Sequence, residues 1–260
     1  HSGMVPVQGP DTAVHDGVRR LGADLKRLAP VAGERSRARV ALLWDWGSWW
    51  AATAQAMPTD RLDPLATLRE WHGVLWDARV AVDVVPFPAA AAELDGYDVV
   101  LAPSLYALSA EVAEALWAWV VEGGSLAVGP FSSVADAAGH LHTGPLPALL
   151  RDVLGVAGEE WVPLPDGGVP GTWAGDADPS MTVETFAEHT RTEGAEVLLS
   201  LSAAPGAEQL DGAVAAARNT FGAGTGWYVG AALEGEALER VLSGVLAGAG
   251  VRGLLPGLPR

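Results

Sequence analysis

The chain has 260 residues, 49% of them hydrophobic, which is enough to bury a sizeable core in one large domain or two small ones. Its 32 acidic and 16 basic residues give a formal charge of −16 at pH 7, which argues against binding to nucleic acid or to a membrane surface. The absence of cysteine excludes disulfides, thiolate-bound zinc, iron–sulfur clusters and a cysteine nucleophile.

The sequence has no pattern typical of a membrane or secreted protein. No uncharged apolar run reaches the ~18 residues that a membrane helix needs, and the first residues lack the pattern of a signal peptide. We therefore expect a soluble, cytoplasmic protein. We interpret the opening "HSGMVP", with Met4 internal, as that of a segment cut from a longer chain.

In the first half of the sequence, predicted helices alternate with predicted strands. Helical periodicity over 11–29 predicts an amphipathic helix with Asp11 as N-cap, and a second helix over 63–78 begins with Asp63 and Pro64. A third helix is predicted over 109–124, and short apolar runs predict strands at 40–44, 80–85, 97–103 and 125–130. This alternation favours right-handed βαβ crossovers and a parallel sheet.

The second half is less regular. We predict a short helix in "GPLPALLRDVLGV", a loop over 163–180, a strand over 195–202 and a final helix over 234–250. The stretch 212–233 contains "FGAGTG" between two apolar runs, which predicts a hairpin. The whole pattern predicts an α/β fold with an open, mostly parallel sheet and helices on both faces.

Glycine and serine motifs give weak signals for chemistry. Gly222, Gly224 and Gly226 do not form a dinucleotide fingerprint, because a strand follows them where the fingerprint requires a helix. Ser125 in "GGSLA" begins a strand, whereas a nucleophile elbow lies at a strand-to-helix turn. We expect no cofactor and no catalytic residue from these motifs.

A pair of histidines is the remaining candidate for a metal site. His140 and His142 lie on one side of an extended segment with Asp136 nearby, and in principle they could bind a metal. Two histidines in a glycine-containing loop are more typical of an ordinary polar loop. We therefore predict no metal. Paired acids such as Glu159 and Glu160 do not indicate carboxyl groups facing each other across a cleft.

The tryptophans are the feature that most needs an explanation. The stretch "ALLWDWGSWWAAT" places Trp44, Trp46, Trp49 and Trp50 within seven positions, directly after a predicted strand. Burying Trp46, Trp49 and Trp50 together in a strand-to-helix loop is difficult. Tryptophan provides a large contact area at a low entropic cost, which suits a subunit interface or a surface that stacks on a sugar.

Several stretches, taken in order, resemble a known family: "HSGMVPVQGPDTAVHDGVRRLGADLKRL", "ARVALLWDWGSWWA", "GYDVVLAPSLYALS", "VEGGSLAVGPFSS", "LLRDVLGV" and "ARNTFGAGTGWYVG". They are similar to the region after the catalytic barrel in β-galactosidases of glycoside hydrolase family 42. The resemblance implies a β-galactosidase trimerisation domain over residues 36–260, with a flavodoxin-like fold similar to class I glutamine amidotransferases. It also implies that residues 1–35 form a helical segment from the end of the barrel.

The resemblance carries further implications for the site. The family's two catalytic glutamates lie on the barrel, one of them after an asparagine, whereas Asn219 is followed here by Thr220, so we expect the catalytic pair outside this chain. His1 matches a galactose-pocket histidine, which implies substrate binding in the intact enzyme only. The expected partners are two further copies in a homotrimer, through an interface of Trp44, Trp46, Trp49 and Trp50, and the barrels of the same and neighbouring subunits.

Two other hypotheses stay open. The first is a carbohydrate-binding module in which Trp46, Trp49 and Trp50 form the platform. The second is an amidotransferase-like hydrolase with a serine nucleophile, which requires Ser125 or Ser132 to lie beside a histidine.

Overall fold

The computed structural model describes residues 4–34, 37–55, 57–88 and 94–254. The chain divides into two compact units, His1–Arg37 and Ala38–Arg260. Among the described residues, no helix combines the length and the apolar character needed to cross a membrane.

The first unit contains one long helix, α1 (Ala13–Arg27). Its N-cap is Thr12, one residue after the predicted Asp11, because the Thr12 side chain in an extended conformation accepts a hydrogen bond from His15 N. The predicted amphipathic helix is confirmed. Its apolar side chains Val14, Leu21 and Leu25 are each more than half exposed.

The second unit contains a long, mixed sheet. Its first half comprises β1 (Val40–Trp44), α2 (Trp46–Ala52), α3 (Pro64–Asp77), β2 (Val82–Pro86), β3 (Val99–Ala102), α4 (Ala110–Val121) and β4 (Ser125–Val128). Its second half comprises α5 (Arg151–Leu154), β5 (Val156–Pro163), β6 (Val169–Trp173), β7 (Met181–Val183), β8 (Phe186–Thr192), β9 (Glu196–Leu201), β10 (Val214–Phe221), β11 (Gly224–Val229) and α6 (Gly235–Gly248).

The described residues form a nine-stranded sheet of order β2-β1-β3-β4-β11-β10-β9-β6-β7, and β5 pairs with β8 in a separate antiparallel ribbon. Neighbours from β2 to β11 are parallel, and those from β11 to β7 are antiparallel. The predicted hairpin is confirmed, because β10 and β11 pair around Gly222, whose φ of 62° suits glycine. Strand β11 then also pairs with β4, which joins the two halves of the sheet.

Helices cover both faces of the sheet, as predicted. Along β1, Val40 and Leu42 belong to one core cluster, which also includes residues of α3 and α6. Ala41 and Leu43 belong to a second cluster, which includes residues of α4 and α5. The predicted apolar runs of β1, β3 and β4 are therefore buried, as is typical of parallel strands in α/β folds, whereas β2 lies at the edge of the sheet and is partly exposed.

The expectation of a loop over 163–180 is wrong, since β6 lies within it and pairs with β7 and β9. Pro170 and Gly171 stand inside this strand and hide its pattern. The interpretation of Trp46, Trp49 and Trp50 as residues of a strand-to-helix loop is also wrong, because all three lie on helix α2.

Candidate functional site

Helix α2 begins immediately after β1, because Asp45 caps it. One Asp45 carboxylate oxygen accepts a hydrogen bond from Gly47 N at 3.1 Å, and the other accepts one from Ser48 N at 2.7 Å. A helix of seven residues is too short to be stable by itself, and such a cap offsets part of the cost of starting it. The cap therefore stabilises a helix where the sequence predicts a loop, and this helix contains three of the four clustered tryptophans.

The site lies at the point of the sheet where doubly wound proteins bind ligands. Strand β1 lies between β2 and β3, so the chain order reverses at its carboxyl end. Here Ser48 Oγ accepts a hydrogen bond from Ala107 N at 2.9 Å, which ties α2 to the segment after β3. Ser48 is buried, so at this carboxyl end of the sheet its hydroxyl is used by a hydrogen bond to the protein's own backbone.

The rings of Trp44, Trp46 and Trp49 pack against one another. The ring centroids of Trp44 and Trp46 are 5.4 Å apart at an interplanar angle of 87°, and those of Trp46 and Trp49 are 5.7 Å apart at 88°. Trp46 and Trp50 are nonetheless 57% and 66% exposed, whereas Trp44 and Trp49 are half-buried. We call these four residues the tryptophan face. An exposed aromatic cluster on a fixed helix is typical of an interaction surface.

An open cleft of about 430 Å³ lies beside this face, between α2 and the start of α3. Trp49, Ala52, Met57 and Leu62 give it an apolar lining. Asp63 also borders the cleft, but its carboxylate accepts a hydrogen bond from Leu65 N as the N-cap of α3. The cleft therefore extends the apolar part of the face.

The histidine pair shows no metal-binding arrangement. His140 Nδ1 lies 3.1 Å from an Asp136 carboxylate oxygen, and His142 Nε2 lies 3.0 Å from the carbonyl oxygen of Leu108. Within the described part of the chain, no group of three or more histidine, aspartate or glutamate side chains is placed to hold a metal ion.

The two candidate serines serve the fold. Ser125 Oγ lies 3.0 Å from Thr225 Oγ1, between the neighbouring strands β4 and β11. Ser132 Oγ donates to the carbonyl oxygen of Gly129 at 2.8 Å and accepts from Leu105 N at 3.2 Å. Among the histidines that the structure describes, none is bonded to either hydroxyl, so these residues do not form the arrangement that a serine hydrolase requires.

Comparison with known proteins decides the family. Residues 38–252 match the model of the β-galactosidase trimerisation domain of glycoside hydrolase family 42. The chain belongs to this family.

Relatives of this trimerisation domain are β-galactosidases. It is 34% identical over 251 residues to a β-galactosidase of Arthrobacter sp., covering 96% of this chain and 34% of the relative. The crystal structure of the cold-adapted β-galactosidase from Rahnella sp. R3 matches with a TM-score of 0.84 and 30% identity, over 100% of this chain and 38% of that one. Gan42B, a GH42 β-galactosidase from G. stearothermophilus, matches with a TM-score of 0.82 and 25% identity, over 98% and 36% of the two chains. The chain thus spans about a third of the length of the curated relatives it matches.

The trimerisation domain also contains a buried polar cluster that the sequence does not reveal. Glu188, Thr190 and Tyr228 are at most 4% exposed, and they are linked by hydrogen bonds. Burial raises the pKa of Glu188 to about 7 and raises the pKa of Tyr228. The sequence "FAEHTRT" of β8 does not indicate a buried glutamate, because an acidic residue in a short strand normally faces solvent.

His1, the predicted galactose-binding residue, lies outside the described residues.

Proposed function

We propose that this domain holds three copies of a β-galactosidase together through the tryptophan face and has no catalytic role of its own. The observation that carries the proposal is the exposure of Trp46 and Trp50 on a short helix fixed by Asp45 and Ser48. Large, rigid aromatic side chains at defined positions are the residues that most often dominate the binding energy of protein interfaces.

The two half-buried tryptophans support the exposed ring of Trp46. Trp44 and Trp49 both contact Trp46, with centroid distances of 5.4 and 5.7 Å, so its ring is held in place before a partner arrives. Binding then costs little side-chain entropy. We therefore include Trp44, Trp46 and Trp49 in the proposed interface for their ring contacts, and Trp50 for its exposure on the same helix.

The chemistry of the parent enzyme belongs, in this proposal, to sequence outside this chain. The parent would hydrolyse terminal β-D-galactosides with retention, using two carboxylates on a catalytic barrel. Two observations support a non-catalytic role here: the chain has no cysteine for an amidotransferase, and the hydroxyls of Ser125 and Ser132 are bonded to structural partners.

The proposal extends to the beginning of the chain. Residues 1–35 would complete the barrel, for which the exposed apolar side chains of Val14, Leu21 and Leu25 on α1 are suited. His1 would then take part in galactose binding in the intact enzyme. The barrels of the same and neighbouring subunits would be further partners. A cytoplasmic location stays a prediction from the sequence.

Solution mass tests the assembly role. Sedimentation equilibrium of this chain over a wide range of concentrations should give the mass of a trimer, and the chain should not hydrolyse a chromogenic β-galactoside. A monomer at every concentration would contradict an assembly function carried by the domain itself, and hydrolysis would contradict the non-catalytic role.

A carbohydrate-binding module is the second candidate. The cleft beside Trp49, with its apolar lining, favours this alternative, because sugars stack on exposed aromatic rings. Titration with lactose and galactose, followed by tryptophan fluorescence, separates the two candidates. Saturable changes in a preparation that stays monomeric would favour the binding module over assembly.

A further inference from the structure

A buried carboxyl group lies where the β5–β8 ribbon meets the main sheet. In Glu188 of β8, one carboxylate oxygen accepts a hydrogen bond from Phe131 N at 2.9 Å, and the other accepts one from the Tyr228 hydroxyl at 2.5 Å. Glu188 N also donates to the carbonyl oxygen of Gly230 at 2.7 Å. Because Phe131 follows β4 and Tyr228 belongs to β11, this single side chain joins β8 to two other segments. The assembly role makes no use of it.

No cation among the described residues offsets the charge of this carboxylate. None of the salt bridges within the described ranges includes Glu188. The groups facing it are the phenol of Tyr228 from β11, the indole of Trp161 from β5 and the backbone N–H of Phe131 from the segment after β4. Tyr106, from the segment after β3, packs on the same cluster as Phe131. An ionised Glu188 is therefore hydrogen-bonded but has no counterion in the part of the chain that the structure describes.

The hydrogen-bond chain can serve both protonation states. Thr190 Oγ1 lies 2.8 Å from the Tyr228 hydroxyl oxygen, and either hydroxyl can be the donor. When Glu188 is ionised, Tyr228 donates to it and Thr190 donates to Tyr228. When Glu188 is protonated, its hydroxyl donates to the oxygen of Tyr228, which then donates to Thr190. The bond from Phe131 N to the other carboxyl oxygen is kept in both states.

We propose that Glu188 is a proton-binding site of the folded domain, which takes up one proton from solvent on mild acidification by reversing the Tyr228 hydrogen bonds. The proton comes to rest on the Glu188 oxygen that faces Tyr228, and no other contact is broken. The site is a pH-responsive device that is independent of assembly, since it contains no residue of the tryptophan face.

The sign of the resulting stability change follows from the pKa of Glu188, which burial raises from an ordinary value of 4.5 to about 7. Between these two pH values the folded chain holds a proton that the unfolded chain has released. Stability therefore falls as the pH rises through this range and is level above it. Most structural carboxylates, whose pKa is lowered by folding, act in the opposite direction.

Urea unfolding of the full chain between pH 8 and pH 5.5 tests this site. The variants are Glu188→Gln, which keeps the shape without titrating, and Glu114→Gln as a control at an exposed position of α4. From pH 8 to pH 5.5, the unfolding constant of the wild type should fall on the order of ten-fold relative to Glu188→Gln. The Glu114→Gln variant should follow the wild type. Parallel curves for wild type and Glu188→Gln would overturn the proposal.

Carbon-13 NMR of the glutamate carboxyl groups measures their titration in the wild-type protein. This measurement therefore tests the proposal even if the Glu188→Gln variant does not fold. One wild-type resonance should titrate near neutral pH. Its midpoint should rise in Tyr228→Phe, because the variant removes a donor to the charged form. If all the carboxyl groups titrate below about pH 5.5, as ordinary carboxyls do, the proposal is wrong.

Discussion

Ser48 Oγ and Ala107 N are joined by a hydrogen bond of 2.9 Å that connects α2 to the segment after β3. Ser48→Ala would leave the Ala107 N–H without this acceptor, so we expect a loss of about 2 kcal/mol in the free energy of unfolding. Urea denaturation measures the loss. Ser243→Ala, at an exposed position of α6, is the control and should change little. Equal stabilities of the two variants would refute a structural role for this bond.

Gly129 approaches the backbone after β3 too closely for any side chain. A Cβ at this position would lie 2.0 Å from the carbonyl oxygen of Pro103, so Gly129→Ala should destabilise the fold by about 3 kcal/mol through overpacking.

The control for that variant is Gly73→Ala on α3, where no described atom lies within 4 Å of the added Cβ. Because alanine favours a helix over glycine, it should stabilise the chain by about 0.5 to 1 kcal/mol. Thermal unfolding of both variants measures the contrast, and a Gly129→Ala protein as stable as wild type would show that the segment after β4 adapts.

Glu193 anchors an ion-pair cluster at the edge of β8. Its carboxylate accepts hydrogen bonds from Arg151 and Arg191, the latter at 2.7 Å, and these bonds lower its pKa from 4.5 to about 2. Because folding lowers this pKa, the stabilisation is complete above about pH 5 and is lost as the pH falls towards 2.

Arg151→Met should therefore lower the urea midpoint at pH 7 and should have a smaller effect at pH 2.5. The control Arg69→Met replaces an exposed arginine on α3 and should show no such dependence on pH. An effect of Arg151→Met that is equal at both pH values would point to packing in place of ion pairing.

Much of the parallel half of the fold is readable in the sequence, because strands buried on both faces leave continuous apolar runs. The run "VALLW" predicts β1 within its observed bounds, Val40–Trp44. Asp63 and Pro64 likewise mark the beginning of α3. The sequence does not predict the ribbon of β5 and β8, because its strands are partly exposed and contain charged residues.

Features that depend on contacts between residues far apart in the sequence cannot be predicted from the sequence alone. Helix α2 is too short for helical periodicity, and it is held by Asp45 and by the contact of Ser48 with Ala107. The environment of Glu188 depends on Tyr228, which lies in another strand 40 residues away. The sequence identified the clustered tryptophans, but packing decides which rings are exposed.

The most direct test of the proposed assembly role is sedimentation equilibrium of the double variant Trp46→Ala/Trp50→Ala beside wild type. The control is Trp76→Ala on α3, which removes a tryptophan that is 73% exposed, stacks on His72 and is not one of the four residues of the tryptophan face. We predict that wild type and Trp76→Ala form trimers and that the double variant is a folded monomer. A double variant that remains a trimer would contradict an interface built on the tryptophan face.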